Sequence, residues 1–211
     1  MQIKITLLKF FLIVSFIISC DNNENEKPNI LIFLSDDQGW GDLSINGNPN
    51  LSTPNIDAIA DNGAVFEKFY VSPVCSPTRA ELLTGKYFVR SGVRGVTQGY
   101  ERIDLGHTLM SDFFKDNEYK TGLFGKWHNG SQPPYHPNSR GFDEFYGFTS
   151  GHWGNYFSPI LERNSKIVRG KGYISDDITN QAITFMKNSK DSFFTFISFN
   201  TPHSPMQVPS S

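Results

Sequence analysis

Cys75 heads the run Cys75-Ser-Pro-Thr-Arg79 and is one of only two cysteines in the chain. A thiolate is a nucleophile and a metal ligand, and an unpaired cysteine in an exported protein is a liability unless chemistry requires it. The other cysteine, Cys20, closes an apolar leader where it is expected to be modified, which leaves Cys75 without a disulfide partner. The bland alternative for Cys75 is an inert buried thiol. Arg79 follows four positions later, so a helix would return it to the same face. Asp36 and Asp37 are adjacent hard oxygen ligands, although such a pair after a strand also serves as a solvated turn or cap. Lys126 and His128 stand two apart and would point the same way on an extended segment. His203 lies in Thr-Pro-His-Ser-Pro. A nucleophile with imidazoles that titrate near neutrality makes up the parts of covalent and acid–base catalysis.

The elements around these residues alternate. Asn29 to Ser35 is a short apolar run ending at Asp36-Asp37-Gln38-Gly39, the pattern of a buried strand entering a polar loop. Ser52-Thr53-Pro54 starts a helix whose stripe is Ile56, Ile59 and Ala60 and which stops at Gly63. Val65 to Val71 is a second strand candidate. Ser76-Pro77 starts a helix through Leu82 and Leu83 that ends at Gly85, which puts Cys75 at or just before a helix N-terminus. Thr108 to Asn117 reads as a helix and Lys120 to Phe124 as a strand running into Gly125-Lys126-Trp127-His128. From Asn129 to Gly154 no periodicity stands out, and a loop is expected. Ser175 is expected to cap a helix that carries Asp176 and Asp177 in its first turn and Ile178, Ala182, Phe185 and Met186 on one face. Phe193 to Phe199 is then a buried strand leading to Asn200-Thr201-Pro202-His203.

Strands alternating with helices imply right-handed crossovers and a largely parallel sheet with helices on both faces. Such sheets bind ligands beyond the carboxyl ends of their strands. Asp36-Asp37, Cys75, Lys126 to His128 and His203 all follow strand candidates, so they are expected to share one crevice.

Lys4 and Lys9 precede the apolar run Phe10 to Ile18, which is too short to span a bilayer and has the form of an export signal. Residues 1–19 are therefore set apart from the fold. Ile17-Ile18-Ser19-Cys20 resembles a bacterial lipobox, which implies acylation of Cys20, anchoring to a membrane and a place in the cell envelope. Residues 20–27 are polar and acidic and read as a tether; the domain is expected over 28–211. Lys and Arg number 19 against 21 Asp and Glu. No long basic run exists, so nothing supports a nucleic-acid partner.

Pro28-Asn-Ile-Leu-Ile-Phe-Leu-Ser-Asp-Asp37, Thr53-Pro-Asn-Ile-Asp57, Cys75-Ser-Pro-Thr-Arg79-Ala-Glu-Leu-Leu-Thr-Gly85 and Gly125-Lys-Trp-His128 together resemble the type I sulfatases of the alkaline phosphatase superfamily, across residues 28 to about 205. The resemblance implies an α/β fold with a mixed, largely parallel sheet. It implies that a maturase oxidises Cys75 to formylglycine, whose hydrated diol attacks sulfur while the alcohol leaves and whose second hydroxyl then expels sulfate. It assigns one calcium ion to Asp36, Asp37 and the modified Cys75, an anchoring role to Arg79, and a charge clamp on sulfate to Lys126. His128 becomes the base and His203 the acid near the leaving oxygen.

Gly141-Phe-Asp-Glu-Phe-Tyr-Gly147 and Ser150-Gly-His152-Trp-Gly-Asn-Tyr156 resemble the segment lining the substrate side. There Ser150 or His152 is a candidate for sulfate or sugar, and Trp153 and Tyr156 are candidates either for stacking on a ring or for the core. Sulfatases of this type continue well past this length, supplying further metal ligands and a lysine, so a truncated chain or fragment with a half-built cage is expected. The implied substrates are sulfated carbohydrates or aryl sulfates. The competing readings are a phosphoester or phosphonate hydrolase of the same superfamily, and an inactive glycan-binding remnant.

Overall fold

Three apolar runs form parallel neighbours in one sheet: β1 (Ile30–Asp36), β2 (Lys120–Lys126) and β6 (Phe193–Pro202). The computed structural model describes residues 27–210, so the leader and Cys20 lie outside the described residues. β6 sits between the other two, with Ile30 opposite Phe194 on one side and Thr121 opposite Phe194 on the other. β3 (Glu144–Phe148) extends the parallel set beyond β2, and β4 (Ile160–Arg163) and β5 (Lys166–Arg169) add an antiparallel hairpin. The order is β1-β6-β2-β3-β4-β5. The sheet is therefore mixed and largely parallel, as expected.

Because side chains alternate across a strand, each inner strand feeds two cores. Leu123, Phe145 and Phe196 enter one, together with Ala80 and Leu83 of α2 (Cys75–Thr84) and the flank of α3 (Met110–Asp116). Phe124, Tyr146 and Ile197 enter the other, against Ile174, Ile178 and Ala182 of α4 (Ile174–Asn188). Those three α4 residues recur every four positions, the spacing of one helix face. Each fully buried Ile, Leu or Phe among these contributes about 1.5–3 kcal/mol by leaving water. Helices thus cover both faces. Helix α1 (Pro54–Asp61) buries none of its residues.

α2 is the element that sets the nucleophile. Cys75 is its first residue, Pro77 lies in the first turn where its missing N–H costs nothing, and Gly85 at φ 63 ends it with its N–H on the Glu81 carbonyl, 2.8 Å away.

Three expectations are corrected. Val65 to Val71 is not a strand: residues 61–71 are exposed, and none of the described strands pairs with it. A strand needs a hydrogen-bonded neighbour as well as an apolar run. Residues 129–154 are not loop throughout, since they contain β3. Tyr173, not Ser175, is the α4 cap residue; Ser175 lies in the first turn, 3.3 Å from Thr201 Oγ1.

Candidate active site

The carboxyl ends of β1 and β2 place a carboxylate and an ammonium side by side. Asp36, Arg79 and Lys126 are all almost fully buried. Asp36 Oδ1 accepts from Arg79 Nη2 at 3.1 Å, and Asp36 Oδ2 accepts from Lys126 Nζ at 2.6 Å. Arg79 Nη1 also donates to the Lys126 carbonyl at 3.2 Å and to Ser198 Oγ. Burial pushes the Asp36 carboxyl up, but the two cations together hold it below the usual carboxylate range. One carboxylate faces two cations, so the cluster carries one surplus positive charge out of water. Arg79 Nε, also buried, has no partner among the described residues. An anion is the group that such a surplus and such an orphan donor would take.

Cys75 and His128 form the second pair, with Sγ 3.2 Å from Nδ1. The imidazole tautomer follows from its other contact: Nε2 lies 2.8 Å from the Val96 carbonyl, which can only accept, so Nε2 carries the hydrogen and Nδ1 presents its lone pair to Cys75. Burial pulls the His128 pKa down to about 4, leaving the ring neutral at pH 7 with its Nδ1 lone pair free. His128 has φ 66, so the extended path breaks just past the end of β2 and the ring is aimed by a left-handed turn instead of by strand alternation. Gly151 completes the seat: a Cβ there would lie 2.2 Å from His128 Nε2. Asn129, buried next to the base, donates to Ser76 Oγ at 3.0 Å and to the Glu101 carbonyl at 3.0 Å.

Part of the expected crevice is found, and Lys126, His128 and His203 are not among the residues that line it. Asp36, Asp37, Cys75, Thr78 and Arg79 line one cleft of about 510 Å³. Arg79 sits on the inner side of α2 and reaches Asp36, not Cys75. His203 is partly exposed and stands beside Asp37. His203 Nε2 is 3.5 Å from Asp37 Oδ2, whose side chain is 61% exposed. The His152 and His203 rings lie 5.6 Å apart. Ser150 Oγ donates to the His152 carbonyl at 2.6 Å. Tyr156 and Trp153 belong to the core: the Tyr156 hydroxyl donates to the His203 carbonyl at 2.8 Å, and Trp153 stacks on Phe148 at 5.2 Å. His136 bonds Glu162 at 2.6 Å and His107 faces Lys86 at 3.0 Å, away from these groups.

Calcium takes six to eight oxygen ligands. Asp36 and Asp37 offer four oxygens at most, two of them held by Arg79 and Lys126. Among the described residues no group of three or more His, Cys, Asp or Glu is placed to hold a metal. By themselves these residues do not fit a calcium ion.

The Sulfatase family model matches residues 28–211. The chain belongs to the sulfatase family. Mouse N-acetylgalactosamine-6-sulfatase is 32% identical to this family member over 86% of the chain and 41% of its own length. The solved structure of Ps i-CgsB in complex with k-i-k-neocarrahexaose superposes with a TM-score of 0.80 at 34% identity, covering 87% of the chain and 47% of that one. A second structure, in complex with its substrate D-glucosamine-2-N,6-O-disulfate, gives 0.75 at 30% identity over 85% of the chain and 35% of that one. The sulfatase chain described here thus spans about two-fifths of the length of its curated relatives.

Several site residues carry no signature readable beforehand. Val96 acts through a backbone carbonyl and Ser198 through a hydroxyl in the middle of an apolar strand. Gly151 has one visible signal, a glycine inside Ser150-Gly-His152, and its purpose emerges only from the ring beside it.

Proposed function

We propose that this chain carries the nucleophile and base of a sulfuric ester hydrolase acting on sulfated glycans, with Cys75 converted to formylglycine by a maturase. One observation carries the reading: the hydrogen-bonded Cys75–His128 pair, set in the family motif, adjoins a buried cluster with one positive charge to spare. A sulfate monoester carries one negative charge and three acceptor oxygens, which suits that cluster. When present, formylglycine supplies an oxygen nucleophile and a second hydroxyl for release. His128 Nδ1, positioned on residue 75, accepts the proton that such a hydroxyl loses. Arg79 and Lys126 stabilise the negative charge on the transferring group, and Asp36 keeps both cations in place. His203, beside Asp37, is the residue we assign to protonate the departing alcohol. Calcium enters only as an ion that Asp36 and Asp37 would share with groups outside the described residues, and no step is routed through it.

The test combines mass spectrometry of the Cys75 peptide with parallel assays on aryl sulfate and aryl phosphate after co-expression with a maturase. A peptide lighter by one sulfur-for-oxygen exchange and two hydrogens, with sulfate preferred, is expected. An unmodified thiol removes the covalent mechanism, and preferred phosphate turnover makes this a phosphoester hydrolase. The leader supports a separate reading, a lipoprotein of the cell envelope anchored through Cys20. Labelled palmitate should enter the wild type and be lost in Cys20→Ala; a wild type without label overturns the anchor.

A further inference from the structure

The segment from Arg94 to Arg102 is tied to both members of the nucleophile–base pair. The Val96 carbonyl accepts from His128, and the Glu101 carbonyl accepts from Ser76 Oγ at 3.1 Å and from Asn129 Nδ2 at 3.0 Å. Ser76 follows Cys75 and Asn129 follows His128, so the segment is bolted one residue away from each. Between these anchors the backbone reverses. The Arg94 and Gly95 N–H groups both donate to the Tyr100 carbonyl, at 2.8 and 3.3 Å, and Gln98 and Gly99 adopt φ 61 and 88. A side chain at Gly99 would be strained on that account alone.

This rigid loop shows two guanidinium groups to solvent. Arg94, Tyr100 and Arg102 are exposed. The Arg102 guanidinium lies over the Tyr135 ring, 5.3 Å from its centroid; a Cβ added at Gly99 would lie 3.5 Å from its Cζ, and one at Gly130 would lie 3.5 Å from the Cγ of its stem. Stacking fixes the plane of the guanidinium while leaving its N–H edges open. The one acid in the loop, Glu101, is turned back onto the Gly99 N–H at 2.9 Å. Among the described residues neither Arg94 nor Arg102 is paired with a carboxylate. The Val96 carbonyl, two residues from Arg94, is separated from Cys75 by the width of one imidazole ring, so this loop flanks the nucleophile.

We propose that Arg102, with Arg94, forms a second anion subsite that binds a sulfate or carboxylate group on the sugar next to the one being cleaved. The subsite rests on the sulfatase reading for its substrate. It makes the chain select densely charged glycans over singly charged esters, because the second contact is available only to a substrate with two anionic groups.

The full chain is titrated calorimetrically with a sulfated galactan oligosaccharide, its desulfated counterpart, an oligogalacturonate and inorganic sulfate. Arg102→Ala is expected to weaken the sulfated oligosaccharide by roughly tenfold, and Arg94→Ala/Arg102→Ala by more. Arg102→Lys keeps the charge but not the stacked fork and should recover part of the loss. Inorganic sulfate affinity should not move in any of these variants. Lys166→Ala, which removes an equal charge from β5, should leave oligosaccharide binding unchanged. Loss confined to the sulfated ligand identifies the second group as sulfate, and loss shared with the oligogalacturonate identifies a general anion subsite. The subsite is overturned if the double variant binds the sulfated oligosaccharide within a factor of two of wild type, if Lys166→Ala weakens it equally, or if inorganic sulfate affinity falls in parallel. Failure of the sulfatase reading has its own mark, a wild type that ignores inorganic sulfate and aryl sulfate while the arginine variants still change oligosaccharide binding.

Discussion

β1 and β2 run parallel and end in the two halves of one ion pair, Asp36 and Lys126, yet they live in different solvents. Every β2 residue after Lys120 is buried, and Leu123 and Phe124 feed opposite cores. β1 lies at the edge of the sheet and alternates, with Leu31 40% and Phe33 54% exposed. Ile59, Phe66, Phe69 and Tyr70 are exposed as well, with the Phe66 and Phe69 rings 6.5 Å apart. The site is thus built from a strand buried on both faces, leading to Lys126 and His128, and an edge strand that packs only Ile30, Ile32 and Leu34 on one face, ending at Asp36. The buried ion pairs to Arg79 and Lys126 add to the β6 ladder at the carboxyl end of β1.

The contrast is broken most severely by removing the shared carboxylate. Asp36→Ala leaves two cations buried without a counter-charge and should cost about 3–5 kcal/mol in denaturant unfolding. Leu31→Ser on the same strand should cost less than about 1 kcal/mol; equal losses would mean that packing, not charge, holds β1. Acid should come next. His128 titrates near 4 in the fold and 6.5 when unfolded, so between those values the unfolded chain binds more protons. The stability it contributes is complete above about pH 6.5 and declines as pH falls toward 4, by about 3 kcal/mol in all. Asp36, held low, is lost in the same direction. His128→Gln should therefore show a flatter fall between pH 7 and 4.5, and an unchanged slope would place the acid sensitivity elsewhere.

A smaller change sharpens the β2 side. Gly151→Ala must displace the His128 ring and break its Val96 bond; losing that bond lowers the His128 pKa, but relief of burial, the larger influence, should raise it toward 6.5 as read by NMR, with a loss of about 1–3 kcal/mol. The smallest effect on stability belongs to the exposed Phe66 and Phe69. Phe66→Ser/Phe69→Ser should change unfolding by no more than about 0.5 kcal/mol while reducing self-association in sedimentation, since contiguous apolar surface promotes contact between copies. Undiminished association would show that this patch is not what brings chains together.

The strands and helices that carry Asp36, Cys75 and Lys126 were legible because each combines a clear apolar period with a punctuating residue, such as Pro77 or Gly85. The β4–β5 hairpin was not: its strands span four residues each, and its turn uses Asn164-Ser165, both at positive φ, where a glycine would have advertised it. β3 was hidden by Gly147 and the surrounding glycines and prolines. Val65 to Val71 misled in the opposite way, since an apolar run says nothing about whether a neighbour exists to pair with it. Within the site, residue types pointed to Cys75, His128, Asp36 and Arg79. The turn at His128 and the direction of Arg79 depend on backbone angles and distant partners that no local pattern encodes.

The carbonyl of Val96 has one more effect, on the traffic of protons. A backbone carbonyl is no base, so a proton that His128 takes at Nδ1 cannot be handed onward through Nε2, which keeps its own hydrogen on Val96. Nor can the ring turn over, with Gly151 against that edge. His128 is therefore a terminus and not a relay: whatever it borrows from residue 75 it must return on the same side, which confines acid–base exchange at this ring to the cleft.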